Sequence, residues 1–246
     1  MFAGEAARTI GPLIILGAVS LWGLEGTFRL IPIGLACSAF LFIRIRNIRI
    51  SDEFRRKDSQ VNWKVTIKHA LPTFKILAAF TLSRSLMRGA LTIFLPVYLS
   101  SKGASIWVAG ISLSVVQLTG AAGTIFSGTI SDRVGRKATL MVTAIFSPVL
   151  MWAFMMVEGI FIFPLLLVMG LFLLAPMPVM LATVNEIKSE QPAFLNGIYM
   201  MINFIINSAA VMLIGFMGDR IGLDLTYKIS AVVALTAIPV IIRMKP

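Results

Sequence analysis

Gly128-Thr129-Ile130-Ser131-Asp132-Arg133-Val134-Gly135-Arg136-Lys137 gathers two glycines, one acid and three cations into ten residues. A bilayer core about 30 Å thick is crossed by roughly 20 apolar residues in a helix, because lipid offers no partner to a free backbone amide. Runs of that kind flank the stretch, at about 105–130 and 138–157, and leave it as a short turn between two spans. Working outward, six more runs lie at about 6–22, 27–44, 73–99, 159–184, 195–217 and 226–243. The expected fold is therefore all-α: a polytopic bundle of eight transmembrane helices.

Composition supports a lipid environment. Hydrophobic residues make up 58% of the 246 and charged residues 13%, with a mean hydropathy of +0.91. A domain with a water-facing surface would not carry so little charge. The net charge of +11 raises the question of nucleic acid. The basic residues sit in short segments between apolar runs, without the aromatic interleaving of a nucleic-acid surface, and exclude that partner. Cys37 is the one cysteine and His69 the one histidine, so no disulfide, no thiolate cluster and no His/Cys/acid metal site is expected. No serine or cysteine has a plausible triad around it, and neither an enzyme nor a cofactor is expected.

Eight spans place the loops alternately on two sides, and the 22 lysines and arginines sort unevenly between them. Sixteen fall on the side of the Asp132 turn and of both termini. Arg29, Lys102, Arg220 and Lys228 are the four on the other, and Arg84 and Arg88 lie within the third span. The excess marks the first side as cytoplasmic. Residues 45–72 form the one long loop, with Arg55, Arg56 and Lys57 among acids. It reads as a linker between residues 1–44 and the six spans of 73–246. Its later part sets Trp63, Ile67, Ala70 and Leu71 on one helical face, the pattern either of a short interfacial helix or of a solvated charged loop.

The chain also repeats itself. Trp22-Gly23-Leu24-Glu25-Gly26-Thr27-Phe28-Arg29-Leu30 matches Ile221-Gly222-Leu223-Asp224-Leu225-Thr226-Tyr227-Lys228-Ile229, and the copies lie six helices apart. An even separation preserves orientation, which gives parallel repeats about an axis along the membrane normal.

The ten-residue turn fits G-x-x-x-D-R-x-G-R-K and resembles the loop signature of the major facilitator superfamily, which lies between helices two and three of each six-helix half. Arg84-Ser85, Phe94-Leu95-Pro96-Val97-Tyr98-Leu99 and the segment from Gly4 to Leu13 are similar to the fosmidomycin-resistance branch of drug exporters. Gly11-Pro12 is similar to the family's antiporter motif, though Ile15 and Leu16 stand where paired glycines are expected. The resemblance implies helices five to twelve of twelve, with the first four absent or supplied from the same or another chain. It also implies a multi-pass protein of the inner membrane that exports drugs or small amphipathic molecules by alternating access, driven by protons. An importer of an organic anion or sugar, or a non-transporting fragment, is the alternative.

Charge inside a bilayer usually faces a cavity. Arg84 and Arg88 share one face of the third span and suit an anionic substrate, unless they serve backbone carbonyls. Gln117 in the fourth span and Asn203 and Asn207 in the seventh either line that cavity or join helices. Gly120, Gly123, Ser127 and Gly128 make part of the fourth helix small enough for close approach. None of the eleven acids is mid-span, so the coupling carboxylate is expected elsewhere. In the turn, the resemblance makes Gly128, Asp132, Arg133, Gly135, Arg136 and Lys137 a gating motif. Its Asp132 would meet the start of the first span near Gly4, Glu5 and Ala6, with Lys137 only adding positive charge.

Overall fold

A computed structural model describes residues 2–46, 63–157, 159–189 and 191–244, and of residues 2–9 and 64 the backbone alone. Every regular element among them is helical. Seven helices are long and apolar enough to cross a membrane: Glu25–Ile45, Val65–Ser101, Ile106–Val134, Arg136–Met156, Gly159–Asn185, Pro192–Ile221 and Leu223–Ile242. They are the second to eighth spans. The first is the helix Phe2–Trp22, whose described apolar part is Ile10–Trp22.

Glycine makes the tightest connections. Gly135 at φ +100° alone joins the fourth span to the fifth, and Gly222 at φ +81° alone joins the seventh to the eighth. Each donates its N–H to the carbonyl four residues back, Ser131 or Gly218, and so ends one helix while starting another. Gly23, the repeat counterpart of Gly222, also has positive φ, at +72°. The two copies of the repeat thus share a turn as well as a sequence.

The third span is continuous from Trp63, through Pro72, rather than starting near residue 73. Residues 63–71 are its first turns, with Ala70 buried and Trp63 and Leu71 exposed. Residues 47–62 of the expected linker lie outside the described residues. Higher up, the helix widens to a π turn over Ala90–Phe94, just before Pro96, whose missing N–H interrupts the ladder. The Ala90 carbonyl accepts a hydrogen bond from Tyr227 Oη of the eighth span at 2.7 Å. Tyr227 in turn stacks on Tyr98, ring centroids 4.2 Å apart.

The fourth and sixth spans cross at close range, and small residues allow it. A methyl group on Gly123 would run into the Leu171 backbone, one on Gly170 into the Val116 carbonyl, and one on Gly120 into Leu174. Ser127 Oγ donates to the Ala175 carbonyl at 2.8 Å. Gly128 has open space at the same test and takes no part in the crossing.

Two apolar clusters fill the third to eighth spans. One, with Phe80, Leu140, Val179 and Leu195, lies toward the Asp132 turn. The other, with Leu91, Val116, Met151, Leu166 and Tyr227, lies toward the opposite end. The first span packs on the fourth, where the side chain of Leu16 fills the space that Gly110 leaves open. A bulky residue at the position where a glycine is expected is received by a glycine on the neighbouring helix. The second span lies outside this packing: of its residues only Gly26 is buried, and Phe28, Leu35, Phe40 and Phe42 are exposed.

Candidate functional site

A cavity of about 620 Å³ opens between the third, fourth, sixth and seventh spans. Arg88, Gln117, Asn203 and Asn207 all line it, joined by Tyr199 and Met177. Among the described residues Arg88 is the one charged side chain in its wall. Its guanidinium lies 3.9 Å from the Met177 sulfur. Asn207 Nδ2 donates to the Asn203 carbonyl at 2.7 Å, and Asn203 Nδ2 to the Tyr199 carbonyl at 3.4 Å. Tyr199, Asn203 and Asn207 therefore form one stripe at four-residue spacing along the seventh span. Tyr199 escaped the sequence reading, although the spacing of the two asparagines extends to it by one step. Met177, Met200 and Met212 add deformable apolar surface, so the wall accepts both polar and apolar parts of a ligand.

Arg84 lies apart from the large cavity. It borders only a small annex of about 30 Å³, shared with Arg88, Asn203 and Asn207. The residue is 6% exposed, and its guanidinium is turned toward the fifth and sixth spans. There it donates to Ser147 Oγ at 2.7 Å, Thr143 Oγ1 at 3.3 Å and the Phe172 carbonyl at 3.2 Å, with the Phe80 ring 5.5 Å away. The two arginines share a helix face but divide their partners: Arg88 faces the cavity, and Arg84 serves the protein.

The Asp132 turn forms a second constellation. Arg136, at the start of the fifth span, is ion-paired with Asp132 and donates to Ser131 Oγ. Its Nε bonds Glu186 Oε1 at 2.9 Å, at the end of the sixth span. Glu186, exposed at the end of the sixth span, is thus a partner of the turn. Lys137 does more than add charge: its Nζ donates to the carbonyls of Ile242 at 3.0 Å and Met244 at 2.6 Å, capping the end of the eighth span. Arg133 is exposed. The side chains of residues 2–9, among which Asp132 was expected to find its partner, lie outside the described residues. At the opposite end Lys102 and Tyr98 both hold the Asp224 carboxylate, at 2.8 Å and 3.1 Å. Among the described residues no three histidine, cysteine or acidic side chains gather as metal ligands would.

The sequence profile of the Major Facilitator Superfamily matches residues 1–210 and, separately, residues 77–246. The fosmidomycin resistance protein of Escherichia coli (strain K12) is 25% identical over 183 residues, which cover 70% of this chain and 44% of that protein. The chain spans less than half the length of this relative.

Proposed function

The chain belongs to the Major Facilitator Superfamily, and from that membership of a membrane-transporter family we propose that it takes part in proton-driven export of small amphipathic molecules by alternating access. The cavity carries this reading: an open recess lined by one guanidinium, three amides and several methionines from four apolar spans. Arg88 engages the polar or anionic part of the substrate, with Gln117, Asn203 and Asn207 as hydrogen-bonding partners, while Met177, Met200 and Met212 adapt to its apolar part. The coupling carboxylate sits outside this cavity. The remaining helices of the pathway come from the same or another polypeptide.

The sixteen-to-four distribution of basic residues supports an inner-membrane protein with the Asp132 turn and both termini in the cytoplasm. At that turn Arg136 ties Asp132 to Glu186. Opening the cytoplasmic side separates this cluster from the other half of the transporter. Asp132→Asn weakens the closed state. In cells it increases cytoplasmic labelling of a cysteine placed at Ala6, and unchanged labelling would separate Asp132 from gating.

Expression in bacteria stripped of their own exporters tests the proposal. The resistance measured against fosmidomycin and a panel of amphipathic drugs should rise, and Arg88→Ala should lower it about tenfold or more, the equivalent of a lost charge-assisted hydrogen bond. Substrate-dependent uptake without resistance would favour an importer of organic anions, the second reading that a single arginine in the cavity wall supports. Neither activity, from a chain that inserts normally, would leave a non-transporting product.

A further inference from the structure

The third to eighth spans are crossed at mid-height by a polar layer that separates their two apolar clusters. On the third span Phe80 belongs to one cluster and Leu86 to the other, with Ser83 and Arg84 between them. On the fifth, Ser147 lies between Ala144 and Met151 in the same way. Two helices carry a one-residue interruption of their hydrogen-bond ladder at this level, the backbone keeping right-handed helical φ and ψ. The sixth passes from Ile162–Leu174 through Ala175 to Pro176–Asn185, and the eighth from Leu223–Leu235 through Thr236 to Ala237–Ile242. Side chains of the third span reach both interruptions: Thr236 Oγ1 bonds Ser83 Oγ at 2.9 Å, and Arg84 bonds the Phe172 carbonyl.

The second bond has a specific cause. Pro176 has no N–H, so the carbonyl four residues earlier, Phe172, loses its helical donor. Two side chains are within reach of that oxygen, Arg84 Nη2 at 3.2 Å and Ser147 Oγ at 3.3 Å. Ser147 has a single proton, and the Thr143 carbonyl lies closer to it, at 2.7 Å. Arg84 is left to serve Phe172, and its planar fork lets it bridge Thr143, Ser147 and Phe172 at once.

We propose that the polar layer is a hinge plane and that Arg84 is its positioning residue. Through the Phe172 carbonyl Arg84 sets the angle of the half-helix Pro176–Asn185. That half-helix carries Met177 and Leu181 in the cavity wall and ends beside Glu186, which is held by Arg136 of the Asp132 turn. A ligand displacing Met177 therefore acts on the same rigid element that reaches the turn, with Arg84 fixing its pivot.

The test measures the half-helix directly and needs no substrate, so its outcome is independent of the export reading. Spin labels are placed at Lys75→Cys on the third span and Ala182→Cys on the half-helix, with Cys37→Ser, in the full chain in lipid. Pulsed electron spin resonance then gives the distance distribution. Arg84→Ala should broaden or shift it, and Arg84→Lys, with one compact donor group, should fall between that variant and the parent. Pro176→Ala returns to Phe172 a donor of its own, so the double variant Arg84→Ala/Pro176→Ala should recover the parent distribution, a non-additive pair. A parent-like distribution in Arg84→Ala, or a double variant no better than Arg84→Ala, overturns the proposal. Should Arg84→Ala alone fail to fold, recovery of folded protein in the double variant supports the proposal and its absence overturns it.

Discussion

Single residues decide how closely the helices approach, and the glycines of the fourth span separate into two kinds. Gly123 faces the Leu171 backbone, which cannot move aside as a flexible side chain would, whereas Gly128 faces open space. Gly123→Ala should destabilise the bundle by about 1–3 kcal/mol through overpacking, read as a lower unfolding midpoint in detergent, and Gly128→Ala should leave that midpoint in place. Lys137→Met should cost about 0.3–1 kcal/mol by uncapping the eighth helix, seen as faster amide exchange around residues 241–244. Small residues three and four apart are visible in a sequence because close packing needs them whatever their partner is. The partners of an arginine are not visible in the same way. Arg84 and Arg88 carry identical chemistry at helical spacing, and what separates them is Pro176, ninety-two residues after Arg84 in the chain, whose missing N–H leaves the Phe172 carbonyl as an acceptor that Arg84 reaches.

At the level of the elements, apolar run lengths, prolines and glycines account for most of what is seen. The eight expected spans correspond to the helix Phe2–Trp22 and the seven long apolar helices among the described residues. The start of the third span departs from the reading by charge, because Lys64 and Lys68 set residues 63–71 apart as a separate interfacial helix or a solvated loop while the backbone continues as one helix from Trp63. Charged side chains at a helix end need only water, and they do not interrupt its hydrogen bonds. The π turn at Ala90–Phe94 was legible only in part: Pro96 marks where the ladder is interrupted, but the hydroxyl of Tyr227 that serves the Ala90 carbonyl is brought there from the eighth span by tertiary packing. Tyr227→Phe keeps the stacked ring and removes that donor, so it should destabilise the protein by about 1–3 kcal/mol, measured as a lower midpoint of thermal unfolding. Tyr98→Phe leaves the Ala90 bond intact and should not reproduce the full loss.

For the whole molecule, the large exposed apolar surface among the described residues fits a chain surrounded by lipid and by other transmembrane helices. The second span shows this most directly, with Cys37 exposed in the middle of an apolar helix. In membranes, native Cys37 should react with a lipid-soluble maleimide and resist a charged, water-soluble one; equal reaction with both would place that face in water. Repeat, signature turn and charge asymmetry made the architecture readable because each reports on the chain's relation to the bilayer. The cavity was readable only in part, since a wall built from four spans depends on rotations of each helix that no single span encodes. The third span adds a mechanical property to this architecture. Its 37 residues from Val65 to Ser101 measure about 55 Å at 1.5 Å per residue, against about 30 Å of hydrocarbon. A rod so much longer than its socket behaves as a pointer: a slight tilt within the lipid is magnified at the projecting tip, where Trp63 sits exposed, and with Trp22, Trp107 and Trp152 replaced the fluorescence of the remaining indole becomes a gauge of the bundle's inclination.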